Sequence, residues 1–309
     1  MPGKTMADEQ YCSVHSRQVS EPLIASAPRT DYWVLLEYPY PLSAKALKQN
    51  QLPDEVNNYL AALQDALPTS RVLLTHKKLS KPGSSPSLVL ADGREGRPVL
   101  YKIHLNSYMD LLGVDIPAIF TGSVQDPTAI MKDPLFLVCV NGKRDACCAK
   151  WGLPLFNSLF ERYGDLIWQT SHVGGHRFSP NLICLPHGIY YGRVPLQKAS
   201  WIADQYMDGR LILDYYRGRA AYPAPVQAAE RFLRLETGEH GIGAYSLEAF
   251  SSRAEDQWEV SFLGTQDHTA YQVLIESSLT GAEIFESCNA PSERKPVKEF
   301  RLLKPIQAG

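Results

Sequence analysis

Two stretches decide the fold: residues 135–160, LFLVCVNGKRDACCAKWGLPLFNSLF, and residues 166–194, LIWQTSHVGGHRFSPNLICLPHGIYYGRV. Leu135 to Val140 is a continuous apolar run, the pattern of a central strand buried on both faces. A polar loop follows, then a helical segment from about Cys148 to Arg162. Leu166 to Thr170 predicts a second strand, and a loop containing Gly174-Gly175 separates it from a third, Asn181 to Leu185. Ile189 to Tyr191 is the hairpin return, and two helices follow, about Leu196 to Met207 and Val226 to Leu235. A strand-helix-strand crossover followed by a hairpin and a helix is the element order of a thioredoxin-like domain, assigned to residues 130–238.

Upstream, residues 1–30 are polar and contain Pro22 and Pro28, so they are expected to be an N-terminal arm. A first α/β domain is expected over 31–129. It has a strand at Tyr32 to Glu37 and a helix over about Pro53 to Leu67, where Val56, Tyr59, Leu60, Leu63 and Leu67 recur at spacings of three and four. Three β-rich runs complete it: Arg71 to Thr75, Ser87 to Ala91 and Pro98 to His104, with turn signals at Gly83 to Pro86 and at Asp92-Gly93. Downstream, residues 239–309 read as a β-rich C-terminal region with strands at Trp258 to Phe262, Tyr271 to Glu276, Glu283 to Glu286 and Val297 to Leu302. No sequence repeat is visible.

The 309 residues, 44% hydrophobic and 21% charged, have the composition of a folded globular protein of two or three domains. Lys and Arg number 31 against 33 Asp and Glu, so no global basic field exists for nucleic acid or acidic lipid. No apolar stretch approaches the roughly 18 residues of a membrane span. The first residues, MPGKTMADEQ, lack the apolar core of a secretion signal, so a cytoplasmic protein is expected. Of six cysteines, Cys139, Cys147 and Cys148 fall within ten residues, which points to metal or thiol chemistry.

Cys139 and the Cys147-Cys148 pair follow the first strand, and His172 and His176 follow the second, at the strand ends where sites assemble in open α/β sheets. Gly174-Gly175 between the histidines argues for a loop rather than a helix. Two thiolates and two imidazoles make a borderline-soft, four-ligand set suited to zinc or to a [2Fe–2S] cluster, and spacing does not choose between them.

The stretches VCVNGKRDACCAKWGLPLF, WQTSHVGGHRFSPNLICLPHGIYYGRV and LDYYRGRAAYPAPVQAAE resemble the sucrase/ferredoxin-like family of thioredoxin-like [2Fe–2S] proteins. The opening CSVHSRQVSEPLIASAP, followed by WVLLEYP, is similar as well. The resemblance implies a [2Fe–2S] cluster held by Cys139, Cys148, His172 and His176, with Cys148 preferred to Cys147 by the family pattern R-D-x-x-C. It implies an electron carrier with an unidentified redox partner protein rather than a stand-alone enzyme. Neutral imidazoles replacing two thiolates imply a potential above the roughly −400 mV of plant-type ferredoxins. The alternatives are a structural Cys2His2 zinc module or a thiol-disulfide oxidoreductase, although the latter lacks a C-x-x-C motif. Glycoside hydrolysis would need a carboxylate pair that nothing in the sequence marks.

Cys12, Cys184 and Cys288 carry no motif and are expected to be structural, and Cys147 a spare thiol beside the site. Arg144 and Asp145 are expected to pair, Arg177 to donate near the site, and His187 to sit at a turn. Tyr215 to Arg219 reads as a basic, aromatic strand end or docking edge.

Overall fold

A computed structural model describes residues 11–123 and 127–309. Residues 1–10 of the expected arm, and residues 124–126 of the expected first domain, lie outside the described residues. The described part of the arm opens with a helix, α1 (Cys12–Gln18), that sequence reading did not find. It has no side-chain cap and only seven residues, so it stands by packing Cys12, Ser13 and Ser16 against the rest of the molecule.

The chain is mixed α/β with a separate antiparallel sheet at its C-terminal end. Strand β1 (Tyr32–Glu37) is followed by helix α2 (Asp54–Ala66), strands β2 (Ser70–His76), β3 (Ser87–Asp92) and β4 (Val99–His104), and the short helix α3 (Ile116–Thr121). Strand β5 (Leu135–Cys139) then leads through α4 (Ala146–Tyr163) to β6 (Ile167–Thr170), β7 (Leu182–Leu185), β8 (Ile189–Tyr191) and α5 (Leu196–Met207). Strand β9 (Tyr216–Arg219) and helix α6 (Ala224–Thr237) complete this part.

All nine strands form one sheet, in the order β4-β3-β1-β2-β6-β5-β7-β8-β9. β1 runs parallel to β2 and β5 parallel to β6, which explains their unbroken apolar sequences: both faces are covered by helices or loops. The sheet crosses the expected boundary near residue 130 where β2 meets β6 antiparallel, through Thr75 opposite Thr170 and His76 opposite Gln169. Beneath that seam one core joins Trp33, Leu35, Leu73 and Val89 to Leu137, Cys139, Trp168 and Ile183.

The second sheet contains β10 (Tyr245–Ala254), β11 (Gln257–Gly264), β12 (Ala270–Phe285) and β13 (Arg294–Leu302), with β14 (Gln307–Ala308) beside β12. β10 was not anticipated, and the two strands read at Tyr271 to Glu276 and Glu283 to Glu286 are one continuous β12 with a register shift against β13 between Leu279 and Glu283. Val226, Ala229 and Leu233 of α6 pack against Val260, Phe262, Val273 and Ile275. The far end of β12 reaches α1, and so carries the segment Glu286 to Cys288 to the C-terminal ends of β5 and β6.

Candidate metal centre

Cys139 is the last residue of β5, and the loop after it is tied by the Asn141 carbonyl, which accepts from the amides of Arg144 and Asp145. Asp145 caps α4: its carboxylate accepts from the Cys147 amide at 3.0 Å. It does not pair with the exposed Arg144. It accepts instead from Ser287 Oγ and the Cys288 amide, at 3.0 and 2.8 Å. Helix α4 lies hard against the strand end, since a Cβ on Gly152 would come within 2.1 Å of the Cys139 carbonyl oxygen. Cys147 and Cys148 sit in the first helical turn about 100° apart around its axis, so they face different neighbours.

Cys148 turns toward Cys139 and His172. One ligand atom from each of these three lies within 4.8 Å of the others, and Cys148 Sγ is 3.9 Å from His172 Nδ1. Cys139 and Cys148 are fully buried and His172 half-buried. The Cys139 thiol is held well below its usual pKa by hydrogen bonding from Cys148 and by His172, while Cys148 is pushed up as the donor.

After β6 the chain turns through Gly174 and Gly175, both with positive φ, which glycine adopts without strain. A Cβ on Gly175 would meet Arg217 Nη2 at 2.3 Å. Arg217 lies on β9 and is wholly buried, donating to the Gly174 carbonyl, Asn181 Oδ1 and the Ser26 carbonyl at 3.2, 2.8 and 2.6 Å. Burial lowers its pKa to about 9. Tyr216 and Arg219 are buried too, the latter paired with Glu230 at 3.2 Å. Of the two readings of Tyr215 to Arg219, the strand end holds and the docking edge does not: β9 is an internal strut behind the histidine loop.

His176 stands beside His172, with ring centroids 5.1 Å apart, but outside the three-residue group. Its Nε2–H donates to the Glu286 carbonyl at 2.5 Å, and Asp145 Oδ2 is 3.7 Å from the same nitrogen. Its Nδ1 is buried and has no hydrogen-bond partner among the described residues. Burial holds the ring below its ordinary pKa, as a neutral imidazole. Arg177 pairs with Glu21 at 2.6 Å and with Glu286 at 3.5 Å. His187 lies before Gly188 at the β7–β8 turn, its Nδ1 2.7 Å from the Tyr206 hydroxyl.

Cys147 faces a second group that sequence reading missed. Its Sγ is 3.5 Å from that of Cys12 and 3.3 Å from that of Cys288, which are themselves 3.6 Å apart. With the Asp145 carboxylate these three also fall within 4.8 Å of one another. Hydrogen bonds from Cys12 and Cys288 pull the Cys147 pKa down to about 4. The only signals in the sequence were the doubling of Cys147 with Cys148 and the place of Cys12 in the opening motif. Cys184 lies apart, on β7, with its side chain in a hydrophobic core.

The architecture and its cysteine groups define an α/β protein with sites able to hold metal. The chain matches the sucrase/ferredoxin-like family over residues 23–218, more than half its length, and belongs to that family. No curated protein and no solved structure matches it. Among the described residues no helix is long and apolar enough to cross a membrane.

Proposed function

We propose that the protein is a one-electron carrier that holds a [2Fe–2S] cluster through Cys139, Cys148, His172 and His176. The observation that carries this reading is the state of His176. Its Nε2–H is committed to a backbone carbonyl, so the lone pair is on Nδ1, and that atom is buried without a partner among the described residues. A buried acceptor left unpaired is costly, and a ligating histidine characteristically donates its other ring N–H to a carbonyl. Next to it, Cys139, Cys148 and His172 converge.

Bound there, the cluster would supply reversible one-electron chemistry. The chain's own part is to hold two thiolates and two neutral imidazoles, which leaves the ligand shell two negative charges poorer than four thiolates and makes an added electron less unfavourable. The core around Cys139 and Cys148 excludes water. His172 is the half-buried member, and Lys45, Lys48 and Arg144 line the cleft in which it stands, a basic rim suited to an acidic redox partner.

A single zinc ion is the second reading, favoured by three donors lying close enough together for one metal. Iron, acid-labile sulfide and zinc analysis of anaerobically isolated protein separates the two. About two irons and two sulfides per chain support the carrier, and zinc bound by two sulfurs and two nitrogens without sulfide sinks it.

A further inference from the structure

Cys12, Cys147 and Cys288 come from three remote parts of the chain: the start of α1, the first turn of α4 and the loop after β12. Two of the three fall outside residues 23–218, the stretch that matches the family. Neutral thiols can cluster as small hydrophobes, but such packing does not account for what surrounds these. Cys12 Sγ lies 3.7 and 3.8 Å from the two oxygens of the wholly buried Asp145, and the Cys12 amide points at Cys288 Sγ from 3.3 Å. Amide-to-sulfur hydrogen bonds and a buried carboxylate are what surround a metal-bound thiolate.

The sulfur separations select the size of the ligand. A tetrahedral ion with metal–sulfur bonds of about 2.3 Å sets its sulfurs about 3.8 Å apart, close to the 3.3 to 3.6 Å found here. A multi-iron cluster would distribute them over separate metals and push them further apart. A disulfide would need about 2.05 Å. Asp145 Oδ2 already accepts from Ser287 Oγ and the Cys288 amide, whereas Oδ1 accepts from the Cys147 amide and keeps a lone pair for a fourth bond.

We propose that Cys12, Cys147, Cys288 and Asp145 form a second metal site, which takes one thiophilic divalent cation of the zinc class and clasps α1 and the C-terminal sheet onto the head of α4. Binding releases the thiol protons to solvent, as for any thiolate site. Because Cys288 is two residues beyond Glu286, whose carbonyl orients His176, the clasp also fixes one wall of the first centre. The site does not depend on what that centre holds.

The test uses the full chain, isolated anaerobically without chelator. Zinc should be present at about one per chain, and X-ray absorption at the zinc edge should show three sulfurs near 2.3 Å and one oxygen. Cys147→Ser and Cys288→Ser should each bring zinc from about one equivalent to near none, while Cys184→Ser retains it. Iron and sulfide, measured on the same samples, report on the first centre separately. Recovery of wild-type protein without zinc, with a disulfide joining any two of the three cysteines, overturns the proposal. A zinc shell of two sulfurs and two nitrogens also overturns it, because it assigns the metal to the first centre. If a serine variant does not fold, the absorption spectrum of the wild type decides alone.

Discussion

Eight of the nine strands of the large sheet form two units of the same topology, with β9 added at the edge beside β8, and the two units differ in what their loops carry. In the first, β1, α2, β2, β3 and β4 lie in the order β4-β3-β1-β2, with β1 parallel to β2 and antiparallel to β3. In the second, β5, α4, β6, β7 and β8 lie in the order β6-β5-β7-β8, with β5 parallel to β6 and antiparallel to β7. Strand-to-helix loops stand at equivalent places. In the second unit that loop, Val140 to Asp145, joins Cys139 at the end of β5 to the helical turn that holds Cys147 and Cys148. In the first it runs from Tyr38 to Pro53, holds no thiol, and folds over its counterpart so that the Ser43 carbonyl accepts from Asn141 Nδ2 at 3.0 Å. One arrangement of strands thus carries a group of residues able to hold metal in one unit and covers that group's loop in the other. Topology provides the loop position, and side chains decide whether it does chemistry.

The largest expected effect breaks the symmetry outright. Cys139→Ser or Cys148→Ser in the second unit should abolish the visible spectrum of the proposed cluster, whereas Cys147→Ser should keep it. A reversal between the two neighbours, read by absorption spectroscopy after anaerobic isolation, would exchange their assignments.

In the first unit the contribution is packing. Leu36→Ala, at a wholly buried position on β1, should cost about 2–5 kcal/mol in denaturant unfolding, and the folded fraction should keep its full metal content. Metal loss in proportion to the added cavity alone would mean that the two units are not separable in this way.

The hairpin turns differ as well. The β3–β4 turn has no histidine, while His187 at the β7–β8 turn is held neutral, its pKa lowered to about 4 by burial and by Arg219. Its folded value lies below the unfolded one of about 6.5, so the unfolded chain takes up the proton first and stability falls as pH drops from about 6.5 toward 4. The loss at the low end should reach about 3 kcal/mol. Urea unfolding of wild type and His187→Gln across that range checks it: the wild-type curve should fall more steeply, and parallel curves would remove His187 from the account.

The smallest effect concerns the ligand charge. A His172→Cys variant that still holds its cluster replaces a neutral ligand by an anionic one, so its potential should fall below that of the wild type in protein-film voltammetry. An unchanged potential would take His172 off the ligand list.

Much of the local structure was legible. β1 and β5 announce themselves as apolar runs, α2 by its three-and-four spacing, and the histidine loop by its diglycine. Tyr215 to Arg219 was legible as a strand end but not as a buried one, because a basic, aromatic pentapeptide looks like surface. Glu230 on α6, whose carboxylate pairs with Arg219, and the carbonyls of Gly174 and Ser26 make burial of its arginines affordable only once those groups are in place.

By itself the sequence determined most of the elements from β1 to α6 and their order, the family and the residues at the ends of β5 and β6, because strand and helix periodicities and loop composition are properties of neighbours along the chain. Tertiary structure alone decided the seam between β2 and β6, the doubling of one topology without a repeated sequence, and the direction in which Cys147 and Cys148 part. It alone brought Cys12 to Cys147 across 135 positions and to Cys288 across 276. No local propensity encodes such contacts. They are settled by which buried faces cover one another, and so they become readable only when the core has closed.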